Sequence, residues 1–150
     1  MRTNKKYFVS VLITVLIVTN LVTVWGLVKT KSNLELYQER IDADFQRSLS
    51  SIAVSLRQNT DWDTRFKLAL SYASKVQILV DSTSFTAGTS EESKNILSYG
   101  YMLENYFQNS QNATIDENPQ ELEEFLNCIE ALSSNPSDSE FAKKLIFLLK

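Results

Sequence analysis

Twenty-two consecutive residues, Tyr7 to Val28 (YFVSVLITVLIVTNLVTVWGLV), carry no charge. A helix of that length reaches about 33 Å, against a hydrocarbon core of about 30 Å in a bilayer. Tyr7 and Trp25 lie near its two ends, where amphipathic rings favour the headgroup level. Lys29 and Lys31 follow and can snorkel to the interface. The segment is therefore expected to cross a membrane. A cleaved leader is the competing reading, but its apolar core is shorter and ends at small residues. Here no Ala precedes Ala43 and the single Cys, Cys128, lies far away, so an uncleaved signal anchor is favoured.

Flanking charge sets the expected orientation. Arg2, Lys5 and Lys6 precede the run, whereas Lys29 and Lys31 are soon balanced by Glu35 and Glu39. The expected layout is a cytoplasmic tail at 1–6, a transmembrane anchor at 7–28, a juxtamembrane segment at 29–33 and an extracytoplasmic domain at 34–150. Residues 33–150 hold ten basic and eighteen acidic residues, a net charge of −8 that repels nucleic acid phosphates. No nucleic acid partner is expected.

The anchor has one weakly polar side. At 100° per residue, Thr19, Thr23 and Gly26 fall within about 60° of one another, with Asn20 beside them. Such residues allow close helix approach and interhelical hydrogen bonds. Each threonine can instead bond its own i−4 carbonyl and touch only lipid. Asn20 is the harder residue to leave in hydrocarbon, because its amide is costly there without a partner. These four positions mark an expected contact with another membrane helix, belonging to a membrane or envelope protein or to a second copy of the chain.

Helical periodicity dominates the rest, and no segment alternates long enough to be a strand. Leu34, Tyr37, Ile41, Phe45, Leu49, Ile52 and Leu56 form one stripe, expected on a helix over about 33–58. Ser32 with Glu35 fits a capping box that would start this helix afresh. The absence of Pro and Gly between Leu27 and Gly88 equally allows one helix running out of the anchor. Thr60 with Asp63 reads as the next capping box. The helix behind it carries Trp62, Phe66, Ala69, Leu70, Ala73, Val76 and Val80 on one face. Leu68, Tyr72 and Leu79 widen that face, so this helix is expected to be the most buried, ending near Val80 before a loop around Gly88.

A third helix begins at Thr89 or Ser90, with Glu91 and Glu92 suited to its N-terminal dipole. Its stripe is Ile96, Tyr99, Leu103, Tyr106 and Phe107. A fourth has Pro119 at its first position and turns Leu122, Phe125, Leu126, Ile129 and Leu132 inward. A last one spans about 137–149, with Phe141, Leu145 and Leu148 inward and Lys143, Lys144 and Lys150 towards its C-terminal end. The expected fold is all-α, a single N-terminal transmembrane helix followed by an antiparallel bundle of four to five helices.

Composition removes most enzyme chemistries. The chain has no His, one Cys and three Gly. It therefore lacks an imidazole base, a zinc-binding Cys/His set and a glycine-rich phosphate loop. Acidic pairs remain at Asp42/Asp44, Asp61/Asp63, Asp116/Glu117 and Glu121/Glu123/Glu124. Several stand where helix starts want negative charge, and capping explains them better than glycoside hydrolysis or cation binding. No catalytic residue, cofactor or metal site is expected. Cys128 reads as a small hydrophobe at the edge of its helix face. Asn112-Ala113-Thr114 matches a glycosylation acceptor, a weakly specific pattern.

Leu97 and Tyr101 point away from the third helix's main stripe and are the expected partner surface, because exposed aromatics are enriched at interfaces. Gly100 between two tyrosines permits close approach of a helix or a ligand. The favoured function is a non-enzymatic, membrane-anchored interaction or accessory module. The alternative is a sensor with a small molecule held between bundle helices, relaying through a partner membrane protein. The plan resembles the outer four-helix sensing domains of bacterial chemoreceptors and sensor kinases, a likeness of architecture that implies such a ligand. It is also similar to the anchored, helical N-terminal region of spore-germination accessory proteins, which implies an accessory role.

Overall fold

The computed structural model describes residues 3–109 and 118–150. Arg2, the acceptor at Asn112 and the pair Asp116/Glu117 lie outside the described residues, and only the backbone is described at 3–6 and 8–11. Five α-helices make up the chain among the described residues, with no strand. They are α1 (Thr3–Leu56), α2 (Trp62–Val80), α3 (Glu91–Asn109), α4 (Pro119–Ser134) and α5 (Ser139–Leu148), with a 3₁₀ turn at Ser84–Thr86 between α2 and α3. The chain divides into two compact units, Met1–Tyr37 and Gln38–Lys150.

The first unit is helix alone. α1 passes through Ser32 without a new cap, so of the two openings the sequence allows, the unbroken helix is the one adopted. No residue from Leu27 to Leu56 lacks an amide proton or frees the backbone, so nothing interrupts the i−4 ladder. From Leu12 to Tyr37 every side chain is exposed. The helix is long and apolar enough in this part to cross a membrane.

The second unit buries a continuous core. From α1 it takes Phe45, Leu49, Ile52 and Leu56, none more than 2% exposed. Leu34 and Tyr37, expected on the same stripe, are 64% exposed because no other helix reaches that far along their face within their unit. The helices run antiparallel wherever contacts fix their direction. Along α1 and α4, Gln46 Nε2 donates to the Ser134 carbonyl and Arg57 pairs with Glu130 and Glu123. Along α2 and α3, Phe66 meets Phe107, Ser74 donates to Glu104, and Tyr101 donates to Asp81. Along α3 and α5, Lys143 Nζ sits 2.7 Å from Glu91 Oε1, and Tyr99 donates its hydroxyl to the Pro136 carbonyl just before α5.

α3 is central, packing against α2, the 3₁₀ turn and α5. It buries Ser93, Ile96, Tyr99, Gly100, Leu103 and Phe107. α2 buries only Ala69, Ala73, Val76 and Val80, so the expectation that it would be the most buried element is corrected. Its wide apolar face includes Trp62, Phe66, Leu70, Tyr72 and Leu79, all of which lie at the core's edge. The reason is position: hydrophobic width measures how much surface a helix can cover, and α2 has fewer neighbours than α3.

Helix starts follow local chemistry. Asp61, not Thr60, caps α2, accepting from the Thr64 amide at 2.9 Å and the Thr64 hydroxyl at 2.8 Å. The Arg65 amide reaches the Asp61 carbonyl, which fixes the cap one residue later than Thr60. Asp63, freed from capping, pairs with Lys67 at 2.6 Å. Ser90 caps α3 through the Ser93 amide. Asn118 caps α4 ahead of Pro119, and Asp138 caps α5, which begins two residues later than expected. Gly88 sits at φ 114°, a conformation costly for any residue with a Cβ.

Candidate interaction surfaces

The anchor face comes first. The Thr19 hydroxyl donates to the Val15 carbonyl at 2.8 Å, Thr23 to Thr19 at 2.9 Å, and Thr30 to Gly26 at 2.9 Å. These bonds satisfy the hydroxyl protons within the helix and leave methyl groups outward. Asn20 also folds back, its Nδ2 donating to the Leu16 carbonyl at 2.9 Å. One amide hydrogen of Asn20 and its carbonyl oxygen still point to the surroundings, because a primary amide offers two donors and two lone pairs. Nothing lies within 4 Å of a Cβ built on Gly26, so this face is open. At the end of the run, Lys29 Nζ lies 5.4 Å from the Trp25 ring, a cation–π contact.

Leu97 and Tyr101 occupy neighbouring turns of α3. Leu97 is half-buried against the core, whereas Tyr101 is 39% exposed. The Tyr101 hydroxyl donates to Asp81 Oδ2 at 2.5 Å, and this bond to a carboxylate raises its pKa. Tyr101 thus braces the end of α2. Gly100 beside it is fully buried, and a Cβ there would lie 2.7 Å from Cγ2 of Val80. The close approach allowed by this glycine is taken up by α2.

The acidic pairs Asp42/Asp44 and Asp61/Asp63 have structural partners. Asp42 accepts from the Ser84 amide at 2.7 Å and the Ser84 hydroxyl at 2.6 Å, pinning the 3₁₀ turn to α1. Asp44 pairs with Arg47 at 3.2 Å. The Thr64 amide holds the Asp61 carboxyl below its usual pKa. Among the described residues no group of three or more His, Cys, Asp or Glu comes together as a metal site. Cys128 is 1% exposed, deeper than the edge position expected, and burial raises its pKa. The lysines of α5 serve elsewhere than its end: Lys143 pairs with Glu91 of α3, and Lys144 with Glu140 at 3.3 Å.

A groove of about 570 Å³ lies between the start of α2 and the end of α3. Trp62, Phe66, Leu70 and Phe107 form its apolar wall, and Asp63, Lys67 and Gln108 its polar rim. It was not legible as a site. The three apolar α2 residues sit on the helix's expected inner face, and only Trp62 and Phe66 one turn apart hint at an aromatic end. Phe66, Phe107, Tyr106 and Phe125 continue inward as a chain of ring contacts with centroids 5.1–6.1 Å apart. No family model matches this chain, and no curated protein or solved structure is significantly similar to it.

Proposed function

We propose that this chain is a single-pass membrane protein whose outer helical domain works as a non-enzymatic interaction or accessory module. One observation carries the reading. The apolar side chains of α1 from Leu12 to Val28 are all at least half exposed, while Phe45, Leu49, Ile52, Ala53 and Leu56 on the same helix enter a core. An uncharged, predominantly apolar helix that no described residue covers calls for lipid. The basic residues Lys5 and Lys6 ahead of the run favour an inner N-terminus and an outer residue 38–150 unit. The structural partners of Asp42, Asp44, Asp61 and Asp63 support a binding role for the unit over a catalytic one.

Two measurements on cells test this. The chain should resist alkaline carbonate extraction. In a Cys128→Ala background, Lys150→Cys should react with a membrane-impermeant maleimide on intact cells. Recovery in the soluble fraction removes the anchor; labelling only after lysis reverses the orientation. The groove beside Trp62 supports the second reading, a small-molecule sensor, since its size and apolar lining suit a ligand. A ligand held there would raise the melting temperature in proportion to the logarithm of its concentration, and Phe66→Ser would abolish that dependence.

A further inference from the structure

We infer that a second copy of this chain covers the polar face of the anchor, the two helices packing side by side in the same direction through Asn20, Thr23, Leu27, Thr30, Leu34 and Tyr37. The inference rests on the anchor reading above and deepens it. These six positions step by three and four, the spacing of a coiled-coil seam, and on an uninterrupted helix they fall within about 100°. The unbroken passage of α1 through Ser32 is what joins the anchor's polar side and the outer stripe into one line.

Both ends of this line are wrong for a lone helix. Asn20 lies near the middle of the apolar run, with one donor and its carbonyl left after the bond to Leu16. Leu34 and Tyr37 lie about 9 and 13.5 Å beyond Val28 along the helix, whereas the headgroup layer is only about 5–8 Å deep. Lipid therefore does not reach Tyr37, yet Leu34 and Tyr37 are each 64% exposed. An occupant must offer a polar group at one depth and apolar surface at another, outside the bilayer. A parallel second copy does both by symmetry. Each Asn20 carbonyl accepts the free amide hydrogen of the other, and Leu34 and Tyr37 meet their own counterparts.

The flanks of the seam are compatible with this pairing. In that register Lys31 of one copy faces Gly26 of the other, and Asn33 faces Gln38, so no like charges meet. The contact is modest in size. A strip about 26 Å long and 10 Å wide offers roughly 260 Å² per copy, less than the ~800 Å² typical of a stable soluble partner. The pair is accordingly a membrane pair, sustained where the bilayer confines both copies, and it dissociates when diluted in detergent.

The test is oxidative cross-linking of the full chain in native membranes, in a Cys128→Ala background, with cysteines placed singly. Leu34→Cys and Tyr37→Cys should give dimers of twice the chain mass. Ser32→Cys and Glu35→Cys, on the far side and flank, should give several-fold less. Adding Asn20→Leu should lower the Leu34→Cys dimer by about eightfold in association constant, the combined worth of two interhelical side-chain hydrogen bonds. Equal yield at all four positions, no dimer at any, or an adduct whose mass includes another protein overturns the inference. Carbonate extraction of the same membranes separates the two failures. A chain that stays in the membrane without face-specific dimers refutes the second copy alone, and a chain released to the soluble fraction refutes the anchor and the pairing together.

Discussion

Replacing Gly100 by Ala should destabilise the bundle in the native sequence and stabilise it once Val80 is shortened. Gly100 is buried in α3, and an added Cβ would meet Val80 at 2.7 Å from Cγ2, 3.1 Å from Cβ and 3.5 Å from Cγ1. Turning Val80 about χ1 moves its methyls but not its Cβ, so the helices must separate. Overpacking of this kind costs about 1–3 kcal/mol. Ala in place of Gly within a helix returns about 1 kcal/mol. The net expectation for Gly100→Ala is a loss of about 0–2 kcal/mol, at roughly 4 °C of melting temperature per kcal/mol for a unit of this size. Val80→Ala alone removes two buried methyl groups and should cost about 2–3 kcal/mol with its cavity. In the double variant the new methyl enters the vacated space and the helix gain is retained. Gly100→Ala should then raise stability by about 1 kcal/mol, a coupling of about 1–3 kcal/mol between the two sites. The assay is thermal unfolding of the full chain in detergent by circular dichroism, with all four members of the cycle. Additivity within about 0.5 kcal/mol would refute the contact between α2 and α3 at this glycine.

Three further outcomes follow from other contacts. Asp61→Ala should lower the melting temperature and Thr60→Ala should leave it unchanged. Because the Asp61 pKa is lowered in the folded chain, its contribution is present above the ordinary carboxylate pKa and lost as pH falls through the folded value; the Ala variant should lack that acid-side loss. Tyr101, whose pKa is raised by its bond to Asp81, contributes stability below its ordinary pKa near 10 that is lost as pH rises through the folded value. Ultraviolet titration should show Asp81→Asn moving that tyrosine's ionisation to lower pH, and no movement would discount the bond. Cys128 should resist thiol reagents in the folded chain and react at the denaturant midpoint of helix loss; stoichiometric labelling of the native protein would contradict its burial.

Much of the fold was written in periodicity and caps. Ile96, Tyr99, Leu103 and Phe107 are buried as their spacing requires, as are Phe125, Leu126, Ile129 and Leu132. Pro119 opens α4, and Val80 closes α2. What periodicity cannot carry is the number of neighbours. Leu34 and Phe45 occupy the same stripe, yet one is exposed and the other enclosed, because only tertiary packing decides where a stripe finds a partner. The same holds for α2 and α3: α2 has the wider apolar face, α3 the more neighbours. Thr60 was the expected cap, and Asp61 beside it does the capping because the helix backbone starts one residue later. The groove at Trp62 depends on where α3 ends relative to α2, which no local pattern encodes.

The bonds between α1 and α4 join residues 73 and 88 positions apart, Arg57 to Glu130 and Gln46 to Ser134. A growing chain meets this distance as time. At roughly 5–20 residues per second, about 4–18 s separate the emergence of Gln46 and Arg57 from that of the residues they bond to. α2 and α3 arrive earlier, and Phe85 behind α2 can already meet Phe45, but Gln46 and Arg57 stay without their α4 partners throughout that interval. The newly made protein therefore closes the α1–α4 side of its bundle late, several seconds after α1 itself is complete.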